Sequence, residues 1–502
     1  MRRRKARSFL LNKYIMTGGM EVNLKEQIGS YVDERRDIVI EVNDKIWEYA
    51  ELGLREYRSV ALLEDLLEKE GFTIETGLGG IETAFVASFS TGGGPVIGIL
   101  AEYDALPELS QVAGIPEKKA LVEGGSGHGC GHNCIASGSF AAALAIKKYL
   151  QESGVPGTIR FYGCPGEEGG YGKVFMCRDG VFDDVDVAIA WHPADMNMVT
   201  GISMMAVQSV LFHFKGRSAH AAGGPHLGRS ALDACELMNV GCNYLREHVP
   251  TDVRMHYAYL DVGGSAPNVV QSHATLHYLV RAKKIEDANA VLERVKDVAR
   301  GAALMTGTTV EFETEGAISD VLLNKPLNLL MQEAMEEVGA PPFDQADFDL
   351  ARQYLATHGQ QGRVHAGAYM RGVLTREELE KMLDEQGLNT AIVPYMHNPA
   401  VVGPGSTDVG DVSYCTPTAQ LTVTSHCMGN GGHNWQKTGQ SATSIAHKGS
   451  LTAGKILALT AAKIYNHPEK LAEIKAEFSR TAPEKYVCPI PADKLPEVKE
   501  GK

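Results

Sequence analysis

No stretch of this 502-residue sequence approaches the uninterrupted apolar length that a membrane-crossing helix needs. It also lacks internal repeats and low-complexity tracts, so a solenoid or a tail-dominated protein is excluded. Basic residues are in deficit, with 48 Lys and Arg against 62 Asp and Glu and a formal net charge of −14. That balance argues against a nucleic-acid partner. Nine cysteines, an odd number scattered along a long chain, do not form a disulfide framework; they suit a reducing cytoplasm, which is the expected location. The basic N-terminus has no proper signal-peptide core, because Asn12 and Lys13 interrupt its apolar part. Residues 1–20 are therefore expected to be a disordered or extra tail, with Met16 or Met20 as an alternative start.

What is present is an ordinary soluble composition, 44% apolar and 22% charged. The length predicts more than one domain. The most informative stretch is Gly127–Asn133, GHGCGHN, in which His128, Cys130 and His132 alternate with glycines. Alternate side chains on a tight glycine loop can converge on one point, and a helical pattern, Cys134–Leu150, follows directly. Thiol and imidazole at this spacing read as metal ligands.

Similar residues recur where strands stop. PVIGILAEYDAL ends in Glu102 and Asp104. Strand Thr158–Gly163 runs into Pro165–Gly170, which carries the adjacent carboxylates Glu167 and Glu168. Neighbours on extended backbone point to opposite sides, so one carboxylate can bind a metal while the other faces a substrate. Strand Val185–Ala190 leads to His192. The strand AQLTVTSHC leads to a glycine run and His433, and Val401–Ser413 reads as a Gly-rich loop. In open α/β sheets, sites gather at the carboxyl ends of strands, so the recurrence predicts a single site.

The pattern changes near Met204. A strand, a helix over Leu227–His248, two strands, a helix over Ile285–Leu304 and a strand give a β-α-β-β-α-β series. The expected fold is α/β: a catalytic domain with a mixed central sheet flanked by helices, plus an inserted ferredoxin-like α+β lid or dimerisation domain. The expected boundaries are 21–203 and 317–480 for the catalytic domain, 204–316 for the insertion and 481–502 for a tail. The segment Pro341–Asp384 has no clear placement.

The ordered set AEYDALPEL, HGCGHN, PGEEGG, WHP, GRSAHAA, GGSAPNVV with a later VRA, GSTDVGDVS and GGHNWQ resembles the two-metal amidohydrolase and exopeptidase family of aminoacylase, hippurate hydrolase and auxin-conjugate hydrolases. Within it, the likeness is to the B-type group of p-aminobenzoyl-glutamate hydrolase chains. The resemblance implies Cys130, His132, Glu168, His192 and His433 as ligands of two divalent metals, Mn²⁺ with Zn²⁺ as the alternative, bridged by Cys130. It implies Glu167 as general base, and His220 as oxyanion stabiliser reaching a partner's site. Asn268 and Arg281 would hold the substrate carboxylate, Asp104 would orient a ligand, and His128 would stand behind the ligands. Three departures stand out: Asn133 where better-known members have Asp, Gln271 for a common Pro, and Gly129 for Ala.

The expected activity is hydrolysis of N-acyl or N-aroyl amino acids, foremost p-aminobenzoyl-glutamate, with a dipeptidase or another conjugate hydrolase as the alternative. The expected assembly is a homodimer through the insertion, or a heteromer with an A-type chain. Two readings from other classes are a thiol hydrolase with Cys130 as nucleophile and His192 as base, and a metal-stabilised non-catalytic subunit.

Overall fold

The computed structural model describes residues 23–370 and 373–497, so the expectations for residues 1–20 lie outside the described residues. Helices α1 (Leu24–Asp33), α2 (Arg36–Tyr49) and α3 (Tyr57–Lys69) precede strands β1 (Thr73–Thr76), β2 (Phe85–Ser90) and β3 (Val96–Ala101). Then come α4 (His132–Ser153), β4 (Thr158–Gly163), α5 (Gly172–Arg178), β5 (Val187–Ala194) and β6 (Met198–Val199). After a short β7 (Ser203–Met204), the chain forms β8 (Ala206–Lys215), α6 (Ala231–Leu245), β9 (Arg254–Asp261), β10 (His273–Ala282), α7 (Ile285–Thr306) and β11 (Thr309–Ile318). It continues through α8 (Lys325–Val338), α9 (Gln345–Thr357), α10 (Gly359–Tyr369), α11 (Arg376–Glu385), β12 (Val402–Gly403), α12 (Val409–Cys415) and β13 (Thr418–Thr424). Helices α13 (Trp435–Gln440), α14 (Ser444–Asn466) and α15 (Pro468–Thr481) complete it.

The central sheet has seven strands in the order β1-β2-β4-β3-β5-β13-β6. Strands β4, β3, β5 and β13 run parallel, and the outer pairings are antiparallel. Alternation along each strand feeds two cores. On β5, Val187, Ile189 and Trp191 pack with α4 and α14, while Ala188 and Ala190 face α5 and α12. The small residues of α4 and α14 let these helices lie close to the sheet and each other. A Cβ on Gly138 would meet the Trp191 ring at 2.7 Å, and one on Gly454 would meet Ala141 Cβ at 2.8 Å. Because the four inner strands are parallel, their carboxyl ends share one edge, where the sequence concentrates its acidic and imidazole groups.

Strands β8, β9, β10 and β11 form a separate antiparallel sheet in the order β11-β8-β10-β9. Helices α6 and α7 cover one face, over an independent core that includes Phe212, Tyr278 and Val295.

Several sequence expectations shift in detail. Val401–Ser413 is not all loop, since α12 starts at Val409. The helix expected over Leu227–His248 is regular only over Ala231–Leu245, because Ser230 caps it by accepting the Asp233 N–H. Pro341–Asp384 resolves into α9, α10 and most of α11. Their apolar faces pack on Cys427, Met428 and Ile445, a tertiary surface that periodicity alone could not supply.

Candidate metal centre and active site

The parallel strand ends deliver the site. Asp104 follows β3, Glu167 and Glu168 follow β4, His192 lies near the end of β5, and His433 follows β13. Cys130 and His132 enter from the loop that opens α4, where Gly131 takes the left-handed conformation, φ 88°. The His433 loop is tied to the Cys130 loop by the bond from His433 N–H to the Gly129 carbonyl, 2.8 Å.

These side chains converge. Donor atoms of Cys130, His132 and His192 lie within 4.8 Å of one another, as do those of Cys130, Glu168 and His433. The Cys130 thiol belongs to both groups, and its Sγ is 3.3 Å from His192 Nε2. The His192 Nδ1–H donates to the Pro193 carbonyl at 3.0 Å, which turns Nε2 toward the thiol. His433 Nε2 is 3.0 Å from Glu168 Oε1.

Asp104 organises both halves. One oxygen accepts from His132 Nδ1 at 2.7 Å and the other accepts the Glu168 N–H at 2.8 Å. The bond fixes the His132 tautomer and leaves Nε2 directed at the cluster. His132 Nε2 and Glu168 Oε1 are buried without a well-formed hydrogen bond. The near neighbour of His132 Nε2 is Glu102 Oε2 at 3.4 Å and that of Glu168 Oε1 is His433 at 3.0 Å, so imidazole and carboxylate donors face one another beside a thiol, as in a site built for cations.

The electrostatics follow the packing. Burial pushes the Cys130 thiol up, but the neighbouring His132 and His192 imidazoles outweigh this and hold it well below the usual thiol range. Burial raises Glu167 well above an ordinary carboxyl, and the Glu102 and Asp408 carboxylates add to the effect. Hydrogen bonds to Cys130 and Glu168 lift His433 to about 10. Burial drives His128 down to about 4. That ring stands apart from the donor groups, with Nε2 2.9 Å from the Ile46 carbonyl.

The remaining expected residues lie elsewhere. His220 is exposed on the second-sheet unit, its Nδ1 accepting the Ala222 and Gly223 N–H groups at 3.2 and 3.0 Å. Its loop meets that of Asn268 through the Ala221 N–H to Asn268 carbonyl bond, 2.9 Å. Arg281, on β10, directs Nη1 toward the Pro404 carbonyl and Ser406 Oγ, each 3.4 Å away. No contact among the described residues joins His220 or Asn268 to the Cys130 cluster of the same chain.

Three charged groups were missed as a set. Lys173 Nζ, fully buried, lies 2.6 Å from both Glu102 Oε1 and Asp408 Oδ1. Glu102 in turn groups with His132 and Glu167. A lysine at the second position of a short apolar helix after the Glu pair was the available signal. Glu56, buried, accepts the Gly166 N–H at 2.8 Å and the Thr83 hydroxyl at 2.9 Å, bracing the Glu167 loop from below. Nothing in its local sequence marks it. Asn133 has a structural reason: its amide donates to the carbonyls of Ser441 (2.8 Å) and Asn43 (3.4 Å), a task an aspartate cannot perform.

The sequence pattern of peptidase family M20/M25/M40 matches residues 98–350. The chain is 41% identical over 486 residues to the B-type chain of p-aminobenzoyl-glutamate hydrolase from Escherichia coli strain K12, covering 93% of this chain and 98% of that relative. The chain belongs to the M20/M25/M40 peptidase family. Another relative, the Xaa-Arg dipeptidase of Mus musculus, is 31% identical over 61% of this chain and 69% of its own length. Among solved structures, a dinuclear metal binding peptidase of the M20 family from Bacillus subtilis has a TM-score of 0.56 at 20% identity, covering 86% of this chain and 99% of that one. That likeness shows the M20 fold. Members of this family are hydrolases of amide bonds, and Cys130, His132, Glu168 and His192 lie within the matched residues, whereas His433 lies beyond them.

Proposed function

We propose that this M20 chain is a two-metal amidohydrolase that cleaves N-aroyl or N-acyl amino acids, with p-aminobenzoyl-glutamate as its substrate and p-aminobenzoate and glutamate as products. The observation that carries the reading is the shared Cys130 thiol, flanked by His132 and His192 on one side and by Glu168 and His433 on the other. The extended likeness to a p-aminobenzoyl-glutamate hydrolase chain supports the substrate. The donor set fits two divalent ions, since thiolate, imidazole and carboxylate all bind first-row metals and the buried His132 Nε2 has no well-formed hydrogen bond. Cys130 would bridge the ions, His132 and His192 would hold one, and Glu168 and His433 the other. We favour Mn²⁺, with Zn²⁺ as the alternative.

When bound, the ions supply Lewis acidity to the attacking water and the amide carbonyl. Glu167, beside the donor groups but not needed to complete the Cys130-centred pair, takes a proton from the water and delivers it to the leaving amine. Arg281 and Asn268 hold the substrate carboxylate, Arg281 through its planar guanidinium. His220 donates to the developing oxyanion. Asp104 keeps the His132 ring oriented, and His128 remains a neutral support beneath α2.

The second sheet with α6 and α7, about residues 204–316, is read as a ferredoxin-like lid and dimerisation domain inserted between catalytic parts 21–203 and 317–480. Leu237, Val240 and Tyr244 form an exposed stripe on α6, and β9 is a sheet edge bearing exposed Tyr257 and Leu260. An unpaired edge next to an apolar stripe suits association with a second chain, and in our reading that association would bring His220 to the neighbour's site. That second chain is another copy or an A-type relative. Among the described residues no helix is long and apolar enough to cross a membrane, and a cytoplasmic location accords with nine unpaired cysteines.

The test is elemental analysis of chelator-free protein together with p-aminobenzoyl-glutamate hydrolysis before and after metal stripping and Mn²⁺ add-back. Two metals per chain and activity that follows the metal are expected. Metal without turnover, alone or with an A-type partner, would leave a non-catalytic subunit. Activity insensitive to chelator but abolished by alkylation would favour Cys130 as a nucleophile paired with His192.

A further inference from the structure

Tyr171 closes the Glu167–Glu168 loop in a conformation that tyrosine does not favour. Its φ is +57°, in the left-handed region, where glycine is the usual occupant and a bulky side chain is strained. The residues before it, Gly169 and Gly170, fold back through N–H bonds to the Glu167 and Gly166 carbonyls at 2.7 and 2.8 Å. The tyrosine ring leaves this loop and crosses to the second sheet. There it packs against Gly316: a Cβ at that position would be 2.0 Å from Tyr171 Cε2.

The landing site is built for it. The register of β11 on β8 steps from Thr314↔Val210 to Gly316↔Ser209, so Glu315 is the extra residue of a bulge. Ser209 Oγ donates to Glu315 Oε2 at 2.6 Å and accepts from His277 Nε2 at 2.7 Å. The Tyr171 hydroxyl is in hydrogen-bond reach of Ser209. On β10, His277, Leu279 and Arg281 share one face by strand alternation, and Leu279 is the register partner of Ser209. That is the face opposite α6 and α7, so the ring docks on the surface that carries Arg281.

We infer that Tyr171 is a positioning residue that locks the Glu167–Glu168 loop onto the Ser209–Gly316 face of the second sheet, fixing the base in register with the substrate-holding Arg281. The inference rests on the reading of Glu167 and Arg281 given above. It accounts for two features together: a non-glycine residue at positive φ and a glycine opposite it with no room for a methyl group.

The experiment is a set of four full-length variants: Tyr171→Phe, Tyr171→Gly, Gly316→Ala and the double Tyr171→Gly/Gly316→Ala. Tyr171→Gly relieves the backbone strain but removes the packed ring, and its metal content should hold. Its kcat for p-aminobenzoyl-glutamate should fall tenfold or more, with KM within threefold. Tyr171→Phe keeps the ring docked and should stay within threefold of the parent. Gly316→Ala displaces the ring and should match Tyr171→Gly, while the double variant, in which the methyl group has room, should be no worse than Tyr171→Gly. A kcat for Tyr171→Gly within twofold of the parent, or losses that multiply in the double variant, overturns the inference. Amide exchange of Gly169 and Gly170 in the metal-free chains gives a second readout: at least tenfold faster in Tyr171→Gly and Gly316→Ala, unchanged in Tyr171→Phe. If the parent hydrolyses nothing, the functional reading has failed and the exchange rates still decide the lock, equal rates in all chains overturning it.

Discussion

Glu167 and Glu168 are neighbours in sequence and differ in everything that matters chemically. Glu168 points to His433 and shares the Cys130 group, whereas Glu167 faces the buried carboxylates of Glu102 and Asp408 with Lys173 as their counter-charge. Glu167→Gln should therefore lower kcat by about 10²–10⁴-fold while two metals per chain remain; elemental analysis beside single-turnover kinetics checks both halves. Glu56 gives a stability prediction. Burial, aided by the Asp104 carboxylate, pushes its carboxyl up to about 8 from an ordinary value of 4.5. Between those values the folded protein holds a proton that the unfolded chain has released. The associated stability is present at low pH and is lost as pH rises from about 4.5 through 8. Glu56→Gln cannot titrate, so its thermal midpoint relative to the parent should climb across that window. A constant difference from pH 5 to pH 8 would contradict the assignment.

At the scale of elements, the site depends on loops that are held from outside. The His433 loop is packed beneath α9–α11, where the Tyr354 and Trp435 ring centroids are 6.2 Å apart. The Gly429 N–H donates to Asp195 Oδ2 at 2.8 Å. Gly429 has φ +76° and its missing Cβ would lie 2.1 Å from the Gly362 carbonyl oxygen. Gly429→Ala adds a left-handed strain of about 1 kcal/mol to that collision, and the loop must shift. The expected result is a fall from two metals toward one per chain, read by elemental analysis, as His433 leaves Glu168. This gives α9–α11 a role that the polar sequence of Pro341–Asp384 did not disclose: the three helices form the outer wall of the His433 loop.

For the whole molecule the question is how many chains make one site. His220 and Asn268 sit together on the second unit, with no contact among the described residues to the Cys130 cluster of their own chain. In the proposed pairing the exposed stripe on α6 is the contact surface, with Val240 and Tyr244 50% and 73% exposed. The variant Val240→Asp/Tyr244→Asp should sediment as a monomer, keep its metals and lose most of its hydrolytic activity. A monomer with full activity would show that His220 serves its own chain or none.

Much of this was already legible in the sequence. Glycine spacing and strand-end acids made the α/β class with its two main sheets and the residues that meet at Cys130 legible, and the order of short motifs carried the resemblance to the M20 family, because each of those signals is local. The pairing of Asp104 with both His132 and the Glu168 backbone, the Lys173–Glu102–Asp408 group beneath Glu167, the Glu56 brace and the docking of Tyr171 on Gly316 were decided only by tertiary structure. Their partners come from strands and helices far apart in the chain, and a buried charge or a close packing contact has no periodicity by which a sequence could announce it.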